Sequence, residues 1–258
     1  MRRVRTAFTS CLFMALLIGG GDPGCSSDSN QVRDGGPGGD AALMNCGDPS
    51  LAIDPTALID DMEAPDFQAA RVGGRDGAWW AGGDTMSPGA SITPNGDAAA
   101  EPIPGGRCGS HYAMHVTGQG FSVWAVLSVS MGWGAVDGGE DLLPNDNHFH
   151  TGVTFWARIG DTSSDKVRFA ISDKYSRPQG GYCIDGGAMD VACFDTFGVD
   201  MTQLDTTWKQ YRIPFGGLTQ RNFGLQRPEV DSASIYTVEF QFNPASVFDF
   251  WLDDISFY

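Results

Sequence analysis

Positive charge is scarce in this 258-residue chain: 16 Lys and Arg stand against 32 Asp and Glu, a formal net charge of −16. Lysine occurs only at Lys166, Lys174 and Lys209. Such a balance disfavours nucleic acid and anionic lipid as partners, since both are polyanions. Long apolar runs are missing too. The one candidate, Ala7 to Ile18, is shorter than the roughly 20 residues a membrane-spanning helix needs. No stretch carries a sustained helical period. The chain has no Gly-x-Ser-x-Gly elbow, no His-Glu-x-x-His pair and no phosphate loop, so no familiar catalytic signature is present. Cys-x-x-Cys spacing, the usual mark of a structural zinc, is absent as well.

What is present begins with a basic start, Met1-Arg2-Arg3-Val4-Arg5, then the short apolar run and three glycines, Gly19 to Gly21. That order predicts a secretory signal peptide over residues 1–24. Gly24-Cys25 followed by Ser26-Ser27-Asp28-Ser29 resembles a bacterial lipoprotein signal, although Asp22 and Pro23 depart from its pattern. The resemblance implies acylation of Cys25 and an outer-membrane or cell-surface location, with membrane contact only through that anchor. Ordinary secretion is the alternative. Residues 25–57, rich in Gly, Ser and Asp, have too little apolar content to order themselves and read as a linker. Export places the remaining cysteines in an oxidising compartment. Cys183 with Cys193 is the favoured bridge, and Cys46 with Cys108 the second.

From Leu58 to Tyr258 the signals are strands and turns. Phe121 to Met131, Gly152 to Arg158, Lys166 to Ile171, Trp208 to Ile213, Thr237 to Phe242 and Phe248 to Phe257 alternate with period two. Gly and Pro punctuate the gaps. One all-β domain over 58–258 is expected, a β-sandwich or jelly roll.

Ile59-Asp60-Asp61-Met62-Glu63 opens this region and Phe250-Trp251-Leu252-Asp253-Asp254-Ile255-Ser256-Phe257 closes it. Between them lie Gly152-Val153-Thr154-Phe155-Trp156-Ala157-Arg158 and Trp208-Lys209-Gln210-Tyr211. In these segments and their order the chain resembles the galactose-binding-like jelly rolls, close to carbohydrate-binding modules of the family-11 and family-30 type. The resemblance implies paired terminal strands with a structural calcium near them. Asp61, Glu63 and Asp253 have the parity to share one face and serve as ligands, with Asp76 or Asp84 as additions. The bland alternative has these acids capping strand ends in water.

Parity also suggests a glycan face. Trp156 and Arg158 point opposite to Val153, Phe155 and Ala157. Arg168 points opposite to Phe169, and Glu239 and Gln241 opposite to Phe240. If their strands share a sheet, one surface carries a ring, two guanidiniums, a carboxylate and an amide, the mixture sugars need. An ordinary salt-bridged sheet surface is the competing reading. Tyr175 and Tyr182, on the loop that ends at Cys183, are a second candidate contact. The expected protein is thus a monomeric, non-catalytic carbohydrate binder, surface-anchored or secreted. The alternatives are a structural or protein-interaction lipoprotein on the same fold and a small jelly-roll glycoside hydrolase or lyase.

Overall fold

A computed structural model describes residues 54–84, 87–136 and 139–258. The predicted signal peptide, Cys25, most of the linker and Cys46 lie outside the described residues.

The alternating segments form two packed antiparallel sheets. The first is ordered β13 (Lys209–Pro214), β10 (Gly152–Ile159), β15 (Phe248–Phe257), β6 (Ser110–Gln119) and β3 (Ser91–Thr93). Two strands join it off that path, β1 (Leu58–Asp60) on β15 and β5 (Glu101–Arg107) on β6. The second is ordered β12 (Phe197–Asp200), β11 (Val167–Asp173), β14 (Ile235–Phe242), β7 (Ala125–Ser130), β2 (Trp79–Gly83) and β4 (Gly96–Asp97). Strands β8 (Gly132–Val136) and β9 (Gly139–Leu143) pair separately. Consecutive long strands change sheets at β6 to β7, β10 to β11 and β13 to β14 to β15, which makes the sandwich a jelly roll.

The inward positions supply a largely aromatic core. Phe155 stacks on Phe169 at 5.5 Å and meets Phe240 edge-on at 5.0 Å, while Phe242 lies flat on Phe248 at 4.0 Å. All are buried. Side chains of this size contribute about 1.5–3 kcal/mol each on burial, enough to fix which face of every strand turns inward.

The terminal strands pair as expected, Leu58 opposite Ser256. Cys183 and Cys193 are bonded, with Cα atoms 5.0 Å apart. Cys108 is itself disulfide-bonded. One expected strand starts late. The alternation from Phe121 predicts strand there, but β7 begins at Ala125. The amides of Ser122, Val123 and Trp124 instead donate to the carboxylate of Asp84, so the backbone turns and Val123 faces solvent.

Two buried carboxylates set an unusual pH dependence. Asp60 accepts from the Trp79 indole Nε1 at 2.7 Å and from the Met62 amide at 2.9 Å. Burial nevertheless pushes its pKa up to about 6. Asp253 is likewise pushed up to about 6, because burial outweighs the pull of Arg107. Between pH 4 and 6 the folded state keeps these protons while the unfolded state releases them, so stability falls as pH rises through that window. Carboxylates whose pKa is lowered, such as Glu63 and Asp231, act the other way mostly at more acid pH, and His150, lowered by burial, offsets part of the fall toward neutral pH. The domain is therefore expected to melt at a higher temperature near pH 4.5 than at pH 7, with Asp60→Asn flattening the difference. A melting temperature that climbs steadily from pH 4 to pH 7 would contradict this.

Candidate ligand-binding cleft

The outer face of the second sheet is open. Across it the registered positions form rungs. Arg168, Gln241, Val126 and Gly82 make one, and Ala170, Glu239, Ser128 and Trp80 the next. Small residues keep the floor low where large ones lie down. A Cβ on Gly82 would sit 2.1 Å from the Trp80 ring, and one on Gly198 would sit 2.7 Å from Arg168 Nε. Trp80 and Arg168 thus lie flat along the sheet.

The centre of the floor is a hydrogen-bonded polar patch. Glu239 Oε1 accepts from Arg177 at 2.6 Å and from the Thr237 hydroxyl at 2.7 Å, and its Oε2 accepts from Gln241 at 3.0 Å. Gln241 also donates to Thr196 Oγ1, and Arg177 Nε to Ser172 Oγ, both at 3.0 Å. Glu239 is buried, and each of these groups fixes the orientation of its neighbour.

The walls are loops held by carboxylates. Asp84 accepts from the amides of Ser122, Val123 and Trp124 and from the hydroxyls of Ser87 and Ser122. Burial would raise its pKa, but these bonds outweigh burial and hold it well below the usual carboxylate range. Their effect is to stand Trp124 beside Trp80, the rings 6.4 Å apart. Opposite, buried Asp195 accepts from the amides of Arg221 (2.7 Å), Phe223 (2.9 Å) and Gly224 (3.1 Å) and from the Gln226 side chain (2.7 Å). This loop brings Arg221 and Phe223 to the cleft. Trp133, on β8, donates its indole N–H to Ser130 Oγ at 3.0 Å. The enclosed space is about 1460 Å³.

Arg168, Glu239 and Gln241 therefore share one concave face, as parity predicts, but Trp156 and Arg158 do not. Those two sit on β10, in the other sheet. Trp156 is buried beneath Arg107, whose guanidinium lies 4.7 Å from the ring centroid. Arg158 stacks between Trp208 at 5.3 Å and Trp251 at 4.7 Å. No single face therefore joins all five residues: β10 is a central strand covered on both sides, and alternation assigns sides without saying which side is covered. Tyr175 and Tyr182 pack on each other at 4.7 Å, with Arg227 over Tyr175, and neither lines the cleft.

Of the acids proposed for calcium, Asp253 is bonded to Arg107 Nε at 2.8 Å and to Ser110 Oγ at 2.8 Å. Arg107 also bonds Asp254. Glu63 accepts from the amides of His111 and Tyr112 and from the Ser110 hydroxyl, and Asp61 accepts from the Glu63 amide. Among the described residues no group of three or more His, Cys, Asp or Glu is arranged to hold a metal ion.

Residue patterns alone did not single out the exposed tryptophans of the cleft. One signal was available. In the pair Trp79-Trp80 a strand must send the two rings to opposite faces; Trp79 is fully buried and Trp80 is 40% exposed.

No protein-family model matches the chain, and no curated protein matches it. Among solved structures it is similar to a family 11 carbohydrate-binding module from Clostridium thermocellum in complex with a β-1,3-1,4-mixed-linked tetrasaccharide. The identity is 16% and the TM-score 0.47, over 78% of this chain and 94% of that one. It is also similar to a family 30 carbohydrate-binding module of a cellulosomal cellulase from the same organism, with 15% identity and a TM-score of 0.45, over 79% and 96% of the two chains.

The burial of Trp156 gives its substitution a defined consequence. Trp156→Ala is expected to cost about 3–5 kcal/mol of stability, the range for emptying a buried tryptophan site. Urea denaturation measures it, and a variant as stable as the wild type would show that the Arg107 cover does not hold the ring.

Proposed function

We propose that the cleft of the second sheet binds a polysaccharide chain without cleaving it, in an exported protein. The observation that carries this reading is the combination of exposed rings and a fixed polar floor. Trp80, Trp124 and Trp133 are each at least 40% exposed and converge on one concave surface. Exposed tryptophan faces suit the C–H faces of sugar rings, and the oriented floor suits their hydroxyls. The volume of about 1460 Å³ exceeds the ~300–1,000 Å³ of a site for one small molecule. An elongated ligand fits it better.

Hydrolysis would call for a pair of carboxyl groups flanking the bond to be broken, one of them free to pass a proton. Glu239, at the centre of the floor, has both oxygens taken by Arg177, Thr237 and Gln241. Asp97 on β4 and Glu140 on β9 are exposed and also line the cleft, so the release of new reducing ends is the outcome that would reveal hydrolysis by them. Export is supported by the leader-like start and by the Cys183–Cys193 bridge, a bond that persists in oxidising compartments.

Calorimetry with a panel of soluble polysaccharides tests the proposal. Trp80→Ala and Trp124→Ala are each expected to weaken binding at least about tenfold while lowering the melting temperature less than Trp156→Ala does, because both rings are partly exposed. Unchanged affinity in both variants, or the release of new reducing ends, would contradict it.

A further inference from the structure

The cleft is electrically lopsided. At one side Trp80 faces Asp97 across the β2–β4 pairing, and Glu140, on β9, also lines the cleft. Both carboxylates are exposed. Asp76 lines the cleft too, but Arg71 pairs with it at 3.1 Å. At the other side stand two guanidiniums. Arg168 is buried, fixed by a 2.5 Å bond from its NH2 group to the Thr219 carbonyl and by its close approach to Gly198. Arg221 is 46% exposed and presented by the loop that Asp195 pins.

These two arginines share one carboxylate, Asp200. It lies 3.6 Å from Arg168 and 3.7 Å from Arg221, and it is 79% exposed. Neither distance is that of a short charge-assisted hydrogen bond. Burial lowers the pKa of Arg168, and the charge of Arg221 lowers it further, as expected of two cations brought together. Asp195 also lies near, but its oxygens are committed to the amides of the 221–224 loop and to Gln226. In a chain with so few cations, the pair therefore lines the cleft with donor capacity beyond the Thr219 carbonyl and the exposed Asp200 carboxylate.

Resting on the glycan reading above, we propose that the ligand is a sparsely acidic polysaccharide, with a uronate carboxylate bound by Arg168 and Arg221 and a neutral sugar ring stacked on Trp80. Trp80 on β2 and Arg168 on β11 are three strand spacings apart, about 14 Å at ~4.8 Å per step. The two contacts thus belong to different sugar units of one chain. Asp97 repels a carboxylate at the Trp80 side, so the charge gradient sets the direction in which the chain lies. A polymer with a carboxylate on every unit is disfavoured for the same reason, and the net charge of −16 disfavours it further.

Carboxyl reduction provides the test, because it turns uronates into neutral sugars without changing the backbone. Wild type, Arg221→Gln and Trp80→Ala are titrated with glucuronoxylan, gum arabic and xanthan, each before and after reduction, and with polygalacturonate and a sulfated galactan. At least one sparsely acidic polymer is expected to bind about tenfold more tightly before reduction than after. That advantage should vanish in Arg221→Gln and fall with added salt, whereas Trp80→Ala should weaken both forms alike. Equal affinity before and after reduction, at whatever strength, overturns the uronate contact and leaves the glycan reading standing. Tightest binding to polygalacturonate overturns the charge gradient. Arg221-dependent binding of the sulfated galactan alone, lost on desulfation, overturns the carboxylate in favour of a sulfate ester. No binding to any polymer in either form overturns the glycan reading together with this inference.

Discussion

A carboxylate accepting consecutive backbone N–H groups is the interaction on which the site depends. A chain with 32 acidic and 16 basic residues cannot pair each acid with a cation. It spends many of them on amides that its loops would otherwise leave unsatisfied. Asp84 holds residues 122–124, Asp195 holds 221–224, Asp173 takes the amides of Tyr175, Ser176 and Asp231, and Glu63 takes those of His111 and Tyr112. Two of these clusters carry the walls of the cleft. Trp124 and Phe223 can stay exposed because their backbones, not their side chains, anchor the loops.

The two outer faces of the sandwich then diverge. On the first sheet, Trp156, Trp208 and Trp251 lie down among Arg107, Arg158 and His115, and Ile103 of β5 closes over them. Guanidiniums over aromatic faces satisfy a surface that would otherwise be both greasy and charged. Asp253 and Asp254 anchor Arg107 from below. On the second sheet no strand or loop among the described residues covers the face, and its exposed tryptophans line open space. The same residue types make a cover on one side and line an open cleft on the other.

This divergence marks the limit of what the sequence discloses. Alternation identified the long strands and the parity of Arg168, Glu239 and Gln241, because inward burial of Phe169 and Phe240 is a local property of each strand. It misplaced Trp156 and Arg158, since membership of a sheet and the covering of a face are settled by strands distant in sequence, here β5 and β15. Alternation predicts strand at Val123 because nothing in its neighbourhood reveals Asp84, about forty residues earlier, as the acceptor of its amide. The Cys183–Cys193 bridge was legible because ten residues separate its ends. The tryptophans of the cleft come from three elements, β2, the loop before β7, and β8, and only the fold brings them together.

The central claim, that the open face of the second sheet is the binding surface, is tested most directly by the indole N–H signals of the seven tryptophans. Nuclear magnetic resonance during titration with a bound oligosaccharide separates them without any substitution. The account predicts that Trp80, Trp124 and Trp133 shift, while Trp79, Trp156, Trp208 and Trp251, all buried, stay in place. Shifts centred on Trp156, Trp208 and Trp251 would move the site to the other sheet and contradict the account.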